Sequence, residues 1–346
     1  MRDHSVMTLP QDMLAIAITA PGAPDVLAPR RLPLPEIGQG DLLIRVAAAG
    51  VNGPDLAQRR GYYDPPPGAS PLPGLEVAGE VAGLGTEVAD FALGDRVMAL
   101  TNGGGYAEYA AVPAGQVLPM PETWSFAEAA ALPETWFTMT QTLVMRAGLA
   151  KDMWVLVHGG AGGIGGAAIQ ICTILGARAI AVVSDADKAD YCRRIGAAAV
   201  IDRTRENIAQ RALDLTGGHG VDRVVDLVGG PMAAINVAAA ARGGHIVQIS
   251  TLEGGNADMP LRQMMAKDLT LSGSTLRPQS STVKAAIAAR ISDDLLPRLA
   301  APGWIKPAIK RFPLEQAGLA HAEMESRRHH GKLILMTAFG HGNKPS

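Results

Sequence analysis

The stretch "WVLVHGGAGGIGGAAIQICTILGARAIAVVSDADK", residues 154–188, runs from a short apolar segment through a cluster of glycines into a longer apolar segment and then a second short one. Read by period and length, it is a strand (Trp154 to His158), a tight turn, a helix from about Gly163 and a second strand, "RAIAVV". Gly160, Gly162 and Gly165 fit the spacing G-x-G-x-x-G in that turn. At such a turn the first glycine permits the sharp reversal, the second lets backbone approach a pyrophosphate, and the third lets helix pack on strand. Gly160, Ala161, Gly162, Gly163, Ile164 and Gly165 therefore form an expected phosphate cradle, with the first helical N–H groups aimed into it. Ile164, Ala168, Ile171 and Leu175 recur at helical spacing, which predicts one face packed on a sheet. A glycine-rich helix start that binds nothing is the competing reading; strand, turn, helix and strand in that order favour a dinucleotide site.

The end of the second strand bears on which dinucleotide. A site for NADH usually carries Asp or Glu there to hold the ribose 2'-hydroxyl, whereas this strand ends in Val183 followed by Ser184. Lys188 lies a helical turn further on and Arg203 follows, both placed to meet a 2'-phosphate. Arg193 and Arg194 each read as a solvated helix face. NADPH is favoured, with NADH the lesser choice. Asp185 is the complication, because a carboxylate there repels a phosphate or selects NADH.

Outward from this unit, apolar strands alternate with helices from about Met153 to Trp304, the pattern of a doubly wound parallel sheet buried on both faces. Before it, from Met13 to about Pro121, short β-like runs such as "DLLIRVAAAGV" and "EVAGEVAGLG" are broken by Pro- and Gly-rich turns, which predicts a mostly β, barrel-like domain. "FAEAAALPETWFTMTQTLVMRAG" reads as helical, with Pro133 starting or kinking a helix. The final strand "KLILM" is expected to return to the first domain. The class is α/β, divided as 1–139, 140–304 for the nucleotide domain, and 305–346.

The 346 residues carry a formal charge of -2, which leaves no broad basic field for nucleic acid. No stretch reaches a membrane span, no signal-type segment follows the first ten residues, and disorder is expected for the first twelve. Two cysteines, Cys172 and Cys192, fit a reduced compartment, so a soluble cytoplasmic protein without disulfides is expected. They also cannot build a four-cysteine zinc site. A catalytic zinc is not expected either: "AGVNGPDL" offers no thiol, and Leu75 precedes Glu76 where a His-Glu pair would be needed. His158, His219, His245 and His321 read as isolated core or surface residues, and His329 and His330 could be metal ligands only alongside further ligand residues, which the sequence pattern does not supply.

The segments "AAAGVNGPDLAQRRGYYDPPPGASPLPGLEVAGEV", "NGGGYAEYAAVP", "LPETWFT", "VLVHGGAGGIGGAAIQ" and "HHGKLILM" together resemble the zinc-free, zeta-crystallin-like quinone oxidoreductases of the medium-chain dehydrogenase/reductase superfamily. The likeness extends over nearly the whole chain after the first dozen residues. The loop "YDPPPGAS", Tyr63 to Ser70, resembles the tumour-suppressor-inducible branch. The resemblance implies a GroES-like catalytic domain and a Rossmann domain with NADPH in the cleft between them. It also implies that Asn52 and Tyr63 border the nicotinamide and the substrate, and that Thr138 touches the nicotinamide end. Lys332 should help hold the cofactor, with Val228, Gly229 and the run Ser250, Thr251 and Leu252 lying along it. The family commonly has Ser or Thr at Asp185 and Tyr at Arg203, so Arg203 is expected to offset Asp185 electrostatically.

The expected activity is NADPH-dependent quinone reduction, with Tyr63 and Asn52 positioning the acceptor ring, in a homodimer paired through "DLTLSGSTL". Two alternatives stand beside it: reduction of an activated C=C bond in an enal, enone or enoyl thioester, and a non-catalytic, crystallin-like NADPH-binding protein.

Overall fold

The computed structural model describes residues 9–342, so part of the N-terminal stretch expected to be disordered, residues 1–8, lies outside the described residues. The chain forms two compact units. The first comprises the chain up to Glu134, Ser280–Ala288 and the chain from Ile309 onward; the second comprises Thr135–Gln279 and Ala289–Ala308. Pro133 begins the helix Pro133–Met139, so this division falls near a helix start with apolar sequence on both sides. Ser280–Ala288 joins the first unit, where Lys284 Nζ donates to Asn102 Oδ1 at 2.5 Å.

In the first unit β1 (Asp12–Ile18) and β2 (Leu27–Pro33) form an antiparallel pair. β3 (Asp41–Gly50), β4 (Glu76–Leu84), β5 (Arg96–Leu100), β6 (Tyr109–Pro113) and β7 (Val117–Pro119) belong to a larger sheet in which β3 pairs with β4 and β6, and β5 with β4 and β7. Ile44, Val46, Val77, Val81, Val97 and Tyr106 from these strands and their connections build the buried core.

The second unit holds six strands: β8 (Trp154–His158), β9 (Arg178–Val183), β10 (Ala199–Asp202), β11 (Val221–Asp226), β12 (Ala240–Gln248) and β13 (Thr270–Gly273). All pair in parallel, in the order β10-β9-β8-β11-β12-β13. Val155, Leu156 and Val157 on β8 are wholly buried, as expected of a parallel strand covered on both faces. The helix Gly163–Leu175 departs from the one-faced pattern. Every residue from Gly165 to Cys172 is buried, while Ile164 and Leu175 at its ends are only half-buried. Its outer side is covered within the unit, since Gln170 Nε2 donates to the Ile305 carbonyl at 2.6 Å and Gly166 lies against Tyr191 and Ile195.

The chain returns to the first unit with β14 (Ile309–Pro313) and β15 (Lys332–Met336). The strand read as "KLILM" is β15, antiparallel to β3 and parallel to β14. β2, β7 and β14 lack a strand signal in the sequence: "LAPRRLP" and "IKRFP" carry charge and proline, as edge strands do. The helical segment after Ser125 is also broken, into Phe126–Ala129, Pro133–Met139 and a π-helical stretch, Thr140–Arg146.

Candidate active site

At the glycine turn the sharp reversal belongs to Gly159, whose φ is +61°, and not to Gly160, a correction to the sequence reading. Gly160 is needed for close packing: a Cβ there would lie 2.7 Å from Ala181 Cβ and 3.3 Å from Cys192 Sγ. Gly165 presses on the turn itself, where a Cβ would overlap the Gly159 carbonyl. Gly162 differs, since the nearest atom to its Cβ position is the Gly159 oxygen at 3.5 Å. Gly162 caps the helix that starts at Gly163, with Ala161 buried below and Ile164 half-buried beside it, so a bound group meets backbone N–H there.

Past the end of β9, Asp185 is the N-cap of the helix Ala186–Arg194: its Oδ1 accepts the Lys188 N–H at 3.0 Å. Its Oδ2 accepts the Ser184 hydroxyl at 3.0 Å and lies 3.0 Å from Lys188 Nζ, which also donates to Ser184 Oγ at 3.1 Å. The Lys188 N–H, with the neighbouring donors, holds the Asp185 carboxyl below the ordinary aspartate range. Asp185 therefore occupies Ser184 and Lys188, the second of them a group expected to receive a 2'-phosphate. Arg203 follows β10 with its side chain exposed and its N–H bonded to the Val183 carbonyl at 3.0 Å.

β8 and β11 are neighbours although β9 and β10 separate them in sequence, so the strand order reverses between them. After β11, Asp226 Oδ1 accepts the N–H groups of Val228 (2.7 Å) and Gly229 (3.0 Å). This loop interlocks with the one after β12: the Glu253 N–H bonds the Val228 carbonyl at 2.9 Å, and a Cβ on Gly229 would lie 3.1 Å from Thr251 Cα. Ser250, Thr251 and Leu252 are exposed in that second loop. The cradle, Ser184, Lys188, Arg203, Val228, Gly229 and Ser250 to Leu252 thus all follow carboxyl ends of strands of one sheet. Thr138 is buried in the helix Pro133–Met139, its carbonyl accepting from Thr142 Oγ1 at 2.7 Å.

In the first unit the structure joins Asn52 and Lys332 through a residue that sequence reasoning treated only as a failed zinc ligand. Glu76 is wholly buried on β4; its Oε1 lies 2.5 Å from Lys332 Nζ and accepts Asn52 Nδ2 at 2.8 Å, and its Oε2 accepts the Glu134 N–H at 2.9 Å. Lys332 also donates to Asn52 Oδ1 (2.5 Å) and the Val51 carbonyl (3.3 Å). An ammonium has three donors, so Lys332 spends them all on Glu76, Asn52 and Val51, and in this arrangement fixes Asn52. The carboxylate lies flat against Gly50, where a Cβ would collide with it.

Asn52 is also held from below. Asp55, wholly buried in the helix Gly53–Arg59, accepts the N–H groups of Asn52 (2.8 Å) and Gly74 (2.9 Å). Burial pushes the Asp55 carboxyl up to about 6, against the pull of those N–H groups and Lys332. Burial, with Glu76 and Asp55 nearby, lifts Glu134 to about 8. Behind Asp55, the Tyr106 hydroxyl lies 3.4 Å from its Oδ2 and 3.0 Å from His321 Nε2, and Arg59 Nη1 lies 3.4 Å from His321 Nδ1. His321 is thus a core residue but not an isolated one, held neutral by burial and Arg59, which lower its pKa to about 3. Tyr63 lies half-buried in the proline-rich loop, beside Tyr62, which is 84% exposed.

A zinc ion does not fit this cluster. The groups that touch Glu76 are an ammonium, a side-chain amide and a backbone N–H, all donors, and both cysteines are buried in the other unit. Among the described residues no three His, Cys, Asp or Glu side chains gather to hold a metal ion, and no helix is long and apolar enough to cross a membrane.

Two family models match the chain: an alcohol dehydrogenase GroES-like domain over residues 38–122 and a zinc-binding dehydrogenase over residues 163–292. A quinone oxidoreductase of Pseudomonas aeruginosa is 33% identical over 333 residues, covering 93% of this chain and 98% of its own. The chain belongs to the quinone oxidoreductase family. It is an NAD(P)-dependent oxidoreductase of the medium-chain dehydrogenase/reductase superfamily, with a GroES-like domain and a Rossmann domain. The relatives do not single out the tumour-suppressor-inducible branch. Among solved structures, Escherichia coli quinone oxidoreductase complexed with NADPH is 28% identical, with a TM-score of 0.80 and coverage of 94% of this chain and 99% of its own. An enoyl reductase, CurK, shares the fold at a TM-score of 0.82 and 24% identity, covering 95% of this chain and 100% of its own.

Proposed function

We propose that this chain transfers a hydride from NADPH to a quinone without a metal ion, in the cytoplasm, as a homodimer. The observation that carries the reading is the end of β9, where Ser184 and Lys188 converge and the carboxylate between them, Asp185, is committed to its helix cap. NADPH, when bound, supplies the hydride. The N–H groups of Gly163, Ile164 and Gly165 would hold its diphosphate, Ser184, Lys188 and Arg203 its 2'-phosphate, and Thr138, Val228, Gly229 and the Ser250 to Leu252 loop its nicotinamide half.

Asn52 and Tyr63 bind and orient the acceptor, which supplies most of what catalysis requires here. The Asn52 amide is locked by Lys332 on its oxygen and Glu76 on its nitrogen, and retains one N–H for a developing oxyanion. Donation from the ammonium to Oδ1 polarises the amide and strengthens that remaining donor. The reduced quinone is a delocalised oxyanion that solvent protonates. β13, the edge strand of its sheet with Leu271 exposed, is the surface proposed to pair with a second copy.

The test is a fluorescence titration with NADPH and NADH in parallel, followed by 9,10-phenanthrenequinone and then a 2-alkenal. Tighter NADPH binding and quinone-dependent loss of cofactor signal are expected. Faster turnover of the alkenal would reassign the chain to reduction of activated C=C bonds, and binding without oxidation by either acceptor would favour the non-catalytic reading.

A further inference from the structure

A buried polar chain in the second unit belongs neither to the cradle nor to any residue expected to touch the cofactor. His158, the last residue of β8, places Nε2 2.7 Å from Asn236 Oδ1; Asn236 lies on the helix Met232–Ala239 and donates from Nδ2 to Asp226 Oδ2 at 2.8 Å. Asp226, at the end of β11, accepts the N–H groups of Val228 and Gly229 on its other oxygen. All three side chains are buried, with exposures of 1%, 1% and 0% for His158, Asn236 and Asp226.

The polarity of this chain is fixed from one end. The Asp226 carboxylate can only accept, so the Asn236 amide must present its nitrogen to Asp226 and its oxygen to His158. The imidazole must then donate from Nε2, and burial keeps that ring neutral. The chain connects the residue that enters the glycine turn to the loop that carries Val228 and Gly229, across the two neighbouring strands where the sheet reverses its order.

We infer that Asn236 is a positioning residue, which couples the glycine turn after β8 to the Val228–Gly229 loop so that both halves of the dinucleotide cradle are set before the cofactor arrives. The inference rests on the proposed placement of the dinucleotide at these two segments. Preorganisation of this kind appears as affinity, because a cradle already ordered loses less freedom on binding. It acts equally on NADPH and NADH, since neither segment reaches the 2'-position.

The hydrogen bonds suggest a charge-swap test. Asn236→Asp sets two carboxylates against each other and should weaken NADPH and NADH about tenfold and equally, whereas Asp226→Asn lets the Asn236 amide and the neutral His158 ring reverse their roles and should cost less. The double variant rebuilds every bond. The carboxylate now on the helix accepts from His158 and from the amide nitrogen now at the end of β11, and the oxygen of that amide accepts from Val228 and Gly229. Its affinity should return to within about threefold of wild type.

Each titration is accompanied by a melting curve. A double variant that melts like wild type but binds no better than Asn236→Asp would overturn the inference, as would an Asn236→Asp variant that binds like wild type. If the singles do not fold, amide hydrogen exchange in the wild-type apo-protein decides. Slow exchange at Val228 and Gly229, against fast exchange at Ser250 and Thr251, is expected; equally fast exchange at both would refute the preset loop. Wild-type protein that binds neither dinucleotide would remove the underlying placement itself, an outcome distinct from the others.

Discussion

Replacing Lys332 by Met discriminates between two roles for that residue. The family resemblance gives Lys332 to the cofactor, whereas the structure commits its ammonium to Glu76, Asn52 and Val51. Both members of the ion pair are buried, at 3% and 0% side-chain exposure. Removing the cation leaves a carboxylate in the core with only the Asn52 amide and the Glu134 N–H for company, a loss of about 3–5 kcal/mol for a broken buried pair. For a unit of this size that corresponds to a fall of about 10 °C in Tm. Glu76→Gln should cost a similar amount by stranding the ammonium, and the double variant Lys332→Met with Glu76→Gln should recover much of the loss, because no charge is left buried. The assay is thermal denaturation of the four proteins followed by circular dichroism, with an NADPH titration of each that folds. Lys332→Met should change the NADPH Kd less than threefold while kcat with the quinone falls about tenfold, because Asn52 loses the bond that orients it. A Lys332→Met protein that melts within about 2 °C of wild type and binds NADPH tenfold more weakly would refute this reasoning and return Lys332 to direct cofactor contact.

Three further outcomes follow from the end of β9 and from the buried acids. Lys188→Ala should raise the NADPH Kd about tenfold and leave NADH nearly unchanged; equal losses in parallel titrations would remove Lys188 from the phosphate site. Asp185→Asn keeps a good helix cap but frees Ser184 and Lys188 from a carboxylate, so NADPH affinity should rise about threefold to tenfold with no change in Tm, and weaker NADPH binding would count against competition at this site. Glu134, raised from 4.5 to about 8, keeps a proton in the folded chain that the unfolded chain has released, so its stabilising contribution is lost as pH rises through about 8. His158 and His321, held below the ordinary 6.5 by burial, weaken the fold only as pH drops below that value. Urea denaturation between pH 6.5 and 8 should therefore show stability falling with pH, by up to about 1.4 kcal/mol per unit, and Glu134→Gln should remove that slope; an unchanged slope would assign it to another group.

The parts of the molecule legible in the sequence are those whose determinants are neighbours in the chain. The glycine turn needs a strand before it and a helix after it, all between Trp154 and Leu175, and β8 and β9 have the ends the apolar runs predict. Even there the finer roles shifted, because G-x-G-x-x-G starts counting at Gly160 while the positive φ falls one residue earlier. Asp185 was visible as a carboxylate near the ribose, but not as a cap that consumes Lys188 and Ser184, since that depends on where the following helix begins. The edge strands β2 and β14 escaped because charge and proline, which suit an edge, are also what a loop looks like.

The cluster around Asn52 shows the opposite limit. Lys332 reaches Asn52 across 280 residues of sequence, and no periodicity encodes such a pairing. There was nevertheless a signal. Glu76 stands in "LPGLEVAGEV" and Lys332 heads "KLILM", each at the head of an apolar strand with buried residues on both faces. A charge in that setting must find an opposite charge or a set of hydrogen bonds, because an isolated ion in the core costs more than the fold can offset. Two such demands of opposite sign, in strands predicted to share one domain, are satisfied most cheaply by each other. The pair then does more than neutralise itself: with Glu76 holding the nitrogen of Asn52 and Lys332 its oxygen, the amide cannot flip, and one N–H is left pointing in a fixed direction. That is the physical link from two buried charges to an oriented donor, and the reason their loss should appear in kcat as well as in Tm.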